Sequence, residues 1–349
     1  MSKSHEHRRE IILSFIRENP NCSSKEIHEG ISETLGYATV KRMLQNLLLE
    51  NLIVVSGNGK GTKYNISTSY DLLHPISVEN YFQKEIDERK IRNSFNFSLI
   101  KETLTNVSIF SEPEIKHLTK LQNHFKQRSS LLSGNEYHNA LERLAIDLSW
   151  KSSQIEGNTY SLLETERLLK EKETASGKTK DEASMLLNHK EALDFIIANP
   201  TFVSPLTVST IESIHSILIK ELNVDRNIRK HAVGISGTNY KPLDNEFQIR
   251  EALDQMCILI NKTENVFEKG LLTLVLVSYI QPFSDGNKRT ARIVSNAILI
   301  SNNYCPLSFR TVNSIDYKKA MLIFYEQNNI SPMKEIFINQ FEFAVNTYF

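Results

Sequence analysis

The most informative segment of this sequence is Gln281-Pro-Phe-Ser-Asp-Gly-Asn-Lys-Arg-Thr-Ala-Arg292. It lies between an apolar run over residues 271–280 and an amphipathic run over residues 293–302. Proline fixes φ and glycine tolerates a positive φ, so Pro282 and Gly286 predict a tight turn. The sequence therefore predicts a helix, a polar loop and a second helix.

The loop also predicts a binding site for an anion. The backbone N–H groups of Gly286 and Asn287 would start the second helix, where free donors and the helix dipole attract negative charge. Arg289 and Arg292 are three residues apart, hence on one helical face, and their guanidinium forks suit phosphate oxygens. Asp285 is the one carboxylate of the loop, and a hard divalent cation would bridge it to phosphate. These residues alone predict a Mg²⁺-nucleotide or polyphosphate site, and the alternative is a polar helix connection with incidental arginines.

The same stretch resembles the signature loop of the Fic family, His-Pro-Phe-x-(Asp/Glu)-Gly-Asn-(Gly/Lys)-Arg-x-x-Arg. Members of that family mostly transfer AMP from ATP to a protein hydroxyl. The chain departs from the pattern at its first position, where Gln281 replaces the histidine that is the family's general base. An amide neither accepts nor releases a proton near neutral pH. Because general-base help is worth about 10²–10⁴ in rate, the resemblance implies nucleotide binding with weakened or altered catalysis.

The resemblance implies a role for each polar residue of the loop, with ATP and Mg²⁺ as the ligands. Asp285 would bind the metal, and Arg292 would bind the β/γ-phosphate end together with Arg289. The family's catalytic positions are occupied by Gln281, Asn287 and Arg289. The nucleotide-binding positions are Gly286, Asn287, Lys288, Arg289 and Arg292.

A second motif reads Ser152-Ser-Gln-Ile-Glu-Gly-Asn158. Ser152 and Glu156 are four residues apart and would face the same way near a helix end that Gly157 terminates. By itself such a glutamate is normally solvated. The motif resembles the Fic inhibitory motif, (Ser/Thr)-x-x-x-Glu-(Gly/Asn), whose Glu pairs with the second arginine of the loop, here Arg292, and blocks productive placement of the γ-phosphate. The resemblance thus implies an auto-inhibited site.

Residues 233–240 alternate in polarity around Ser236-Gly237, which predicts a β-hairpin. In the Fic fold a hairpin at this place, the flap, lies over the active loop and holds the target segment by strand addition. By this resemblance the target path would be lined by Ile235, Ser236, Gly237 and Thr238. A plain surface hairpin is the alternative.

Residues 5–68 predict a winged helix-turn-helix domain. The pattern consists of helices over residues 8–17 and 39–50, a capping box at Ser23, and two strands around a Gly-rich turn at residues 57–61. The order resembles the winged-helix DNA-binding family. Cations would contact phosphates, and amides or guanidiniums would contact base edges. The candidate DNA contacts are Lys41, Arg42, Gln45, Lys60 and Lys63. Residues 1–66 hold nine Lys or Arg against seven Asp or Glu, a weak excess, so a protein-docking or dimerisation role stays open.

Composition narrows the class of protein. The 349 residues hold 41 Lys plus Arg and 41 Asp plus Glu, so the formal net charge is zero. The chain as a whole therefore has no net electrostatic attraction to nucleic acid or to a membrane. Cys22, Cys257 and Cys305 are odd in number and lack metal-ligand spacing, which indicates a reduced, cytoplasmic protein. The most apolar run, residues 271–280, is too short to span a bilayer, and no signal peptide is found.

The sequence predicts a mainly α protein, an all-helical Fic core with a small hairpin flap after a winged-helix domain. The expected divisions are residues 1–68, a linker and helical extension over 69–133, and a Fic domain with its inhibitory helix over 134–349. The expected function is auto-inhibited AMP transfer from ATP to a protein, the chain itself or a bound partner. The alternative is a non-catalytic ATP sensor that gates DNA binding. Aromatic residues in the closing helices are expected in the core or on a dimer surface, and a homo-oligomer is expected.

Overall fold

A computed structural model describes residues 3–33 and 35–349, apart from the side chains of residues 3–6 and 60. The chain divides into two compact units, residues 1–75 with 106–116, and residues 76–105 with 117–349. The three-part division expected after residues 68 and 133 remains a prediction.

The first unit begins with three helices and two antiparallel strands, in the order that the sequence predicts, and a short fourth helix follows. The strands pair with Ile53 opposite Ile66. Ser23 caps the second helix, because its side chain accepts the N–H of Glu26 while the Glu26 carboxylate accepts the N–H of Ser23. The elements are α1 (Lys3–Glu18), α2 (Ser24–Gly30), α3 (Tyr37–Leu49), β1 (Ile53–Ser56), β2 (Lys63–Ile66) and α4 (Tyr70–Leu73).

The second unit is helical, and most of its longer helices begin at a Ser, Thr or Asn whose side chain accepts a backbone N–H of the first turn. Helix α6 belongs to this unit from residue 117 onward. The helices are α5 (Val78–Phe82), α6 (Glu112–Leu131), α7 (Gly134–Ile155), α8 (Leu162–Glu171), α9 (Lys180–Ala198), α10 (Val208–Leu218), α11 (Glu246–Lys262), α12 (Val266–Ile280), α13 (Asn287–Ser301), α14 (Ser314–Gln327) and α15 (Ser331–Tyr348).

The core of the second unit is built on α12 and α13, which pack against each other and carry the loop between them. All residues from Gly270 to Ile280 are buried, as expected of a helix that is apolar on every side. The Ser295 hydroxyl donates to the Gly270 carbonyl at 2.8 Å and ties the two helices together. Other helices contact this pair, so the loop is held by a rigid support.

The predicted hairpin over residues 233–240 needs a correction. The chain turns at Ser236-Gly237, and Gly237 has a φ of +87°. Within the described residues, however, β1 and β2 are the only paired strands, and residues 233–240 do not pair with each other. The isolated bridges join Cys22 to Tyr64 and Ser94 to Lys241. The polar groups of the turn are satisfied differently, because the Tyr240 N–H donates to Thr238 Oγ1 and the Gly237 carbonyl accepts from Arg89. We call residues 233–241 the flap segment below.

No helix of the described chain is long and apolar enough to cross a membrane.

Candidate functional site

The loop between α12 and α13 has the tight turn that its proline and glycine predict. Gly286 adopts a φ of +78° at the start of α13, a conformation that favours glycine. Asn287 braces the loop, because its Oδ1 accepts the Phe283 N–H and its Nδ2 donates to the Phe283 carbonyl, both at 2.8 Å. The amide of Asn287 is therefore already used within the loop. Phe283 in turn stacks on the buried His215 ring at 3.6 Å between centroids.

Asp285 is the exposed carboxylate of the loop, with 65% of its side chain accessible. Its Oδ1 accepts the Gly286 N–H at 2.6 Å, and its Oδ2 accepts from Arg289 Nη2 at 3.1 Å. The expectation that Gly286 offers a free N–H is therefore wrong in this conformation, because the neighbouring carboxylate already fills that position. Both oxygens keep further lone pairs that face solvent.

Arg292 is fully buried and is held by the second motif. Its Nε donates to Ser152 Oγ at 2.7 Å, and its Nη2 donates to Ser152 O at 3.0 Å and to Glu156 Oε1 at 2.8 Å. Gly157, with a φ of +104°, follows directly after Glu156 at the end of α7. The other carboxylate oxygen of Glu156 lies 3.4 Å from Lys288 Nζ. The structure thus brings together the two motifs that the sequence paired.

Electrostatics keep Glu156 ionised. Burial favours the neutral form, but Arg292 and Lys288 outweigh burial and lower the pKa of Glu156. The carboxylate therefore carries full negative charge near neutral pH. It stands where a second anion would otherwise meet the guanidinium of Arg292.

The arginines of the loop retain buried donors without a hydrogen-bond partner in the described part of the chain. These donors are Nε and Nη1 of Arg289 and Nη1 of Arg292. Burial lowers the pKa of Arg289, while Asp285 and Glu156 oppose that shift. Leaving a buried donor unpaired costs about 1–3 kcal/mol, so a ligand rich in negative oxygens would be favoured here.

Gln281 occupies the C-terminal cap of α12 with a φ of 51°, and its side chain is almost completely buried. Its Nε2 donates to Ser278 O at 2.7 Å, and its backbone carbonyl accepts from Arg229 Nε at 2.7 Å. Arg229 is buried as well, and its backbone N–H donates to the Pro282 carbonyl at 3.0 Å. The sequence does not single out Arg229, because nothing in its polar surroundings signals that the side chain turns inward.

His189 on α9 is another buried polar residue that the sequence does not single out. It is fully buried, and neither ring nitrogen has a hydrogen-bond partner within the described residues. Burial first, and then the charges of Arg292 and Arg289, lower the pKa of His189 well below its ordinary value. The ring is therefore neutral, which spares the site a further positive charge. Over residues 3–33 and 35–349, no three His, Cys, Asp or Glu side chains form a metal-binding cluster.

The flap segment presents its turn to solvent. Ser236 and Gly237 are exposed, whereas Ile235 and Thr238 are half-buried. At its far end Tyr240 is buried, where its ring stacks on Tyr279 and its hydroxyl donates to the Tyr279 carbonyl at 3.3 Å. This contact connects the flap segment to the last turn of α12, directly before the loop.

The candidate DNA contacts are distributed over α3 and the hairpin of the first unit. Lys41, Arg42 and Gln45 are exposed on the face of α3 opposite its buried apolar residues. Lys63 is less available, because its Nζ lies 3.1 Å from Glu26 Oε2. The side chain of Lys60 lies outside the described residues.

Comparisons with known proteins connect this geometry to a family. Residues 205–299 match the model of the Fic/DOC family. A "Protein adenylyltransferase Fic" of Nematostella vectensis is 28% identical over 181 residues, which cover 48% of this chain and 40% of the relative. Another of Aedes aegypti is 28% identical over 263 residues, which cover 70% of this chain and 50% of the relative. The chain thus spans half or less of the length of these curated relatives.

Solved structures show the same fold. Fic-1 from C. elegans superposes with a TM-score of 0.59 at 18% identity, covering 67% of this chain and 71% of that chain. A Fic domain containing signaling protein from Bacteroides thetaiotaomicron gives a TM-score of 0.57 at 17% identity, with coverages of 66% and 94%. The predicted mainly helical Fic fold is confirmed by these neighbours.

Proposed function

We propose that this chain, whose residues 205–299 match the Fic/DOC family model, is an ATP-binding, auto-inhibited protein adenylyltransferase whose catalysis is weakened by Gln281. The observation that carries this proposal is the buried guanidinium of Arg292, which Glu156 holds at 2.8 Å, together with buried donors of Arg289 that have no partner in the described part of the chain. A buried cationic site with unused donors, held by one carboxylate, has the chemistry of a phosphate site in a restrained state.

The phosphates of ATP would lie at the N-terminal end of α13. Arg289 and Arg292 lie in the first two turns of α13 and have buried donors without a partner in the described residues, and Lys288 adds a point charge. The 15-residue helix contributes the positive end of its dipole. Glu156 opposes this binding, because it satisfies the same guanidinium that a γ-phosphate would need. Release of Glu156 is therefore the step that we propose to regulate the site.

Mg²⁺ fits the residues present. Mg²⁺ is usually held by one or two carboxylates together with the phosphates of the substrate, and Asp285 offers one exposed carboxylate beside the proposed phosphate position. When bound, the ion would neutralise phosphate charge. Asp285, whose oxygens accept from Gly286 and Arg289 in this structure, would be the residue that holds the ion.

Gln281 limits the chemical step. In AMP transfer a target hydroxyl oxygen bonds to the α-phosphorus, the bond to the bridging oxygen breaks, pyrophosphate leaves, and the hydroxyl loses its proton. The amide of Gln281 cannot take that proton, which must go to solvent. The chain would then rely on positioning and on charge stabilisation by its arginines, at a rate about 10²–10⁴ lower than with a general base.

The acceptor would be a protein segment that lies along the flap segment, at residues 235–238. The chain itself or a bound partner can supply the hydroxyl, and a homo-oligomer would bring a second copy within reach. The first test is calorimetry with ATP and Mg²⁺ on wild type, Arg292→Gln and Glu156→Gly, followed by transfer of label from ATP to protein. Absence of binding in both wild type and Glu156→Gly would refute the proposal.

A second candidate function is a non-catalytic ATP sensor that regulates DNA binding. Two observations favour it. The side-chain amide of Gln281 donates to the Ser278 carbonyl, and the side chains of Lys41, Arg42 and Gln45 are exposed on α3. The two functions separate by experiment. Transfer of label to protein supports the adenylyltransferase, and DNA affinity that depends on ATP without turnover supports the sensor.

A further inference from the structure

A stretch far from the loop in sequence, residues 81–96, lies against the flap segment and α14. We call it the extension segment. It contains the last two residues of α5 and a short 3₁₀ helix, Ile86–Glu88, and its other residues have no regular structure apart from the bridge at Ser94. Its side chains and backbone contact the flap segment at three points. Because the flap segment has no strand ladder of its own, these contacts matter for its conformation.

The extension segment is anchored by a buried ion pair. Arg89 Nη1 lies 3.0 Å from Glu326 Oε1 of α14, and the two side chains are 4% and 0% exposed. The Tyr81 hydroxyl donates to Glu326 Oε2 at 2.5 Å, and the Arg92 N–H donates to the Glu326 carbonyl at 2.9 Å. A buried carboxylate without its cation would be strongly destabilising, so Arg89 is fixed in this position.

The second terminal nitrogen of the Arg89 guanidinium contacts the turn of the flap segment. Arg89 Nη2 donates to the Gly237 carbonyl at 2.9 Å. A side chain at Gly237 would meet Leu322 of α14 at 3.4 Å, so the turn is close to that helix. Arg89 therefore joins the tip of the flap segment to α14 through one planar group with two fixed directions.

Two further contacts hold the rest of the flap segment. Asn239 Nδ2 donates to Asp87 Oδ1 at 3.1 Å. The Lys241 N–H donates to the Asn93 carbonyl at 3.3 Å, within an isolated parallel bridge between Ser94 and Lys241. The flap segment is thus held at its tip and at its end by the extension segment, in place of the partner strand that a hairpin would supply.

We propose that Arg89 is a positioning residue for the acceptor site: through Glu326 it holds the turn of the flap segment in the conformation that receives the target chain. This proposal rests on the proposed function, because it takes residues 235–238 as the target path. Arg89 acts on the target side of the site and leaves the nucleotide side, built by Arg289, Arg292 and Glu156, unchanged.

The test uses the full chain with Arg89→Lys as the main variant. Lysine keeps a cation beside Glu326 but cannot donate to Glu326 and Gly237 in two fixed directions. The double variant Arg89→Met/Glu326→Gln removes both charges, so that neither is left buried and unpaired. Arg92→Met is the matched control, since its side chain is exposed on the same segment and its backbone N–H is untouched.

Hydrogen exchange at the amides of Tyr240 and Lys241, which are hydrogen-bonded in the structure, is the direct readout. We expect roughly tenfold faster exchange in Arg89→Lys and in the double variant, with ATP·Mg²⁺ affinity as in wild type. Transfer to protein should fall by a similar factor, and Arg92→Met should match wild type throughout. Unchanged exchange in both variants would overturn the proposal.

The outcomes also separate this inference from the proposed function. If wild type neither binds ATP nor transfers label, the proposed function fails. Faster exchange would then still establish that Arg89 holds the flap segment, whereas the acceptor-site role would be overturned. If exchange accelerates while transfer to a protein target stays at the wild-type rate, the acceptor-site role is overturned as well.

Discussion

Glu156 Oε1, at the end of α7, lies 2.8 Å from Nη2 of Arg292 on α13, and the two residues are 136 positions apart in the chain. One carboxylate thus holds the arginine that the proposed nucleotide would need. The consequences of this contact can be measured.

Replacing Glu156 by glycine should free Arg292 and strengthen binding of ATP·Mg²⁺ by roughly tenfold, because one charged hydrogen bond no longer competes. Calorimetry would give the affinities. Glu171→Gly is the matched control, since Glu171 is an exposed glutamate near a helix end that pairs with Arg167. Equal affinities in wild type and Glu156→Gly would show that the pair does not restrain the site.

Replacing Arg292 by glutamine should weaken ATP·Mg²⁺ binding by about 10- to 100-fold, the value of a lost charge-assisted contact. Arg250→Gln removes another arginine with a glutamate partner, but one that is exposed and outside the site. Thermal unfolding checks that both variants remain folded. Arg250→Gln should bind ATP·Mg²⁺ with wild-type affinity. If folded Arg292→Gln does so too, the assignment of Arg292 to the phosphate site is wrong.

Replacing Gln281 by histidine should raise the transfer of labelled AMP to protein by about 10²–10⁴, most visibly in a Glu156→Gly background. The reason is that imidazole accepts the proton that an amide cannot. Gln281→Asn is the control that changes the side chain without adding a base. A histidine variant that binds ATP but transfers no faster than Gln281→Asn would place the defect elsewhere in the site.

The buried His189 makes the stability of the fold depend on pH. Its pKa is lowered in the folded state, so between that value and the ordinary value of 6.5 the unfolded chain binds the extra proton. The free energy of unfolding should therefore fall as pH drops below about 6.5, by up to about 1.4 kcal/mol per pH unit for this one group. Denaturant titrations of wild type and His189→Gln at several pH values test this. Parallel curves for the two proteins would exclude a contribution of His189.

If the winged-helix prediction is correct, Lys41→Gln/Arg42→Gln should weaken DNA binding and reduce its dependence on salt, since each lysine or arginine that contacts phosphate releases counterions. Lys25→Gln is the control, because Lys25 is an exposed lysine that pairs with Glu29 on α2, outside the proposed recognition helix. Binding isotherms at two salt concentrations, with and without ATP, supply the measurement. An unchanged salt slope would favour a protein-docking role for this unit.

Local sequence patterns predicted much of the secondary structure of this protein. The apolar period of α12 and α13, the capping box at Ser23 and the turn at Gly286 all depend on neighbours within a few residues, so they can be recognised in the sequence. The contact of Glu156 with Arg292 could be expected for another reason, because two motifs of complementary charge resemble one family.

Contacts between residues that are distant in sequence determine which polar side chains turn inward. The burial of Arg89 depends on Glu326, 237 positions away, and Arg229 is positioned by the carbonyl of Gln281, 52 positions away. The flap segment takes its conformation from the extension segment instead of from a strand ladder. A local pattern records the preferences of neighbours, whereas burial of a charge depends on a partner that only the folded chain brings close.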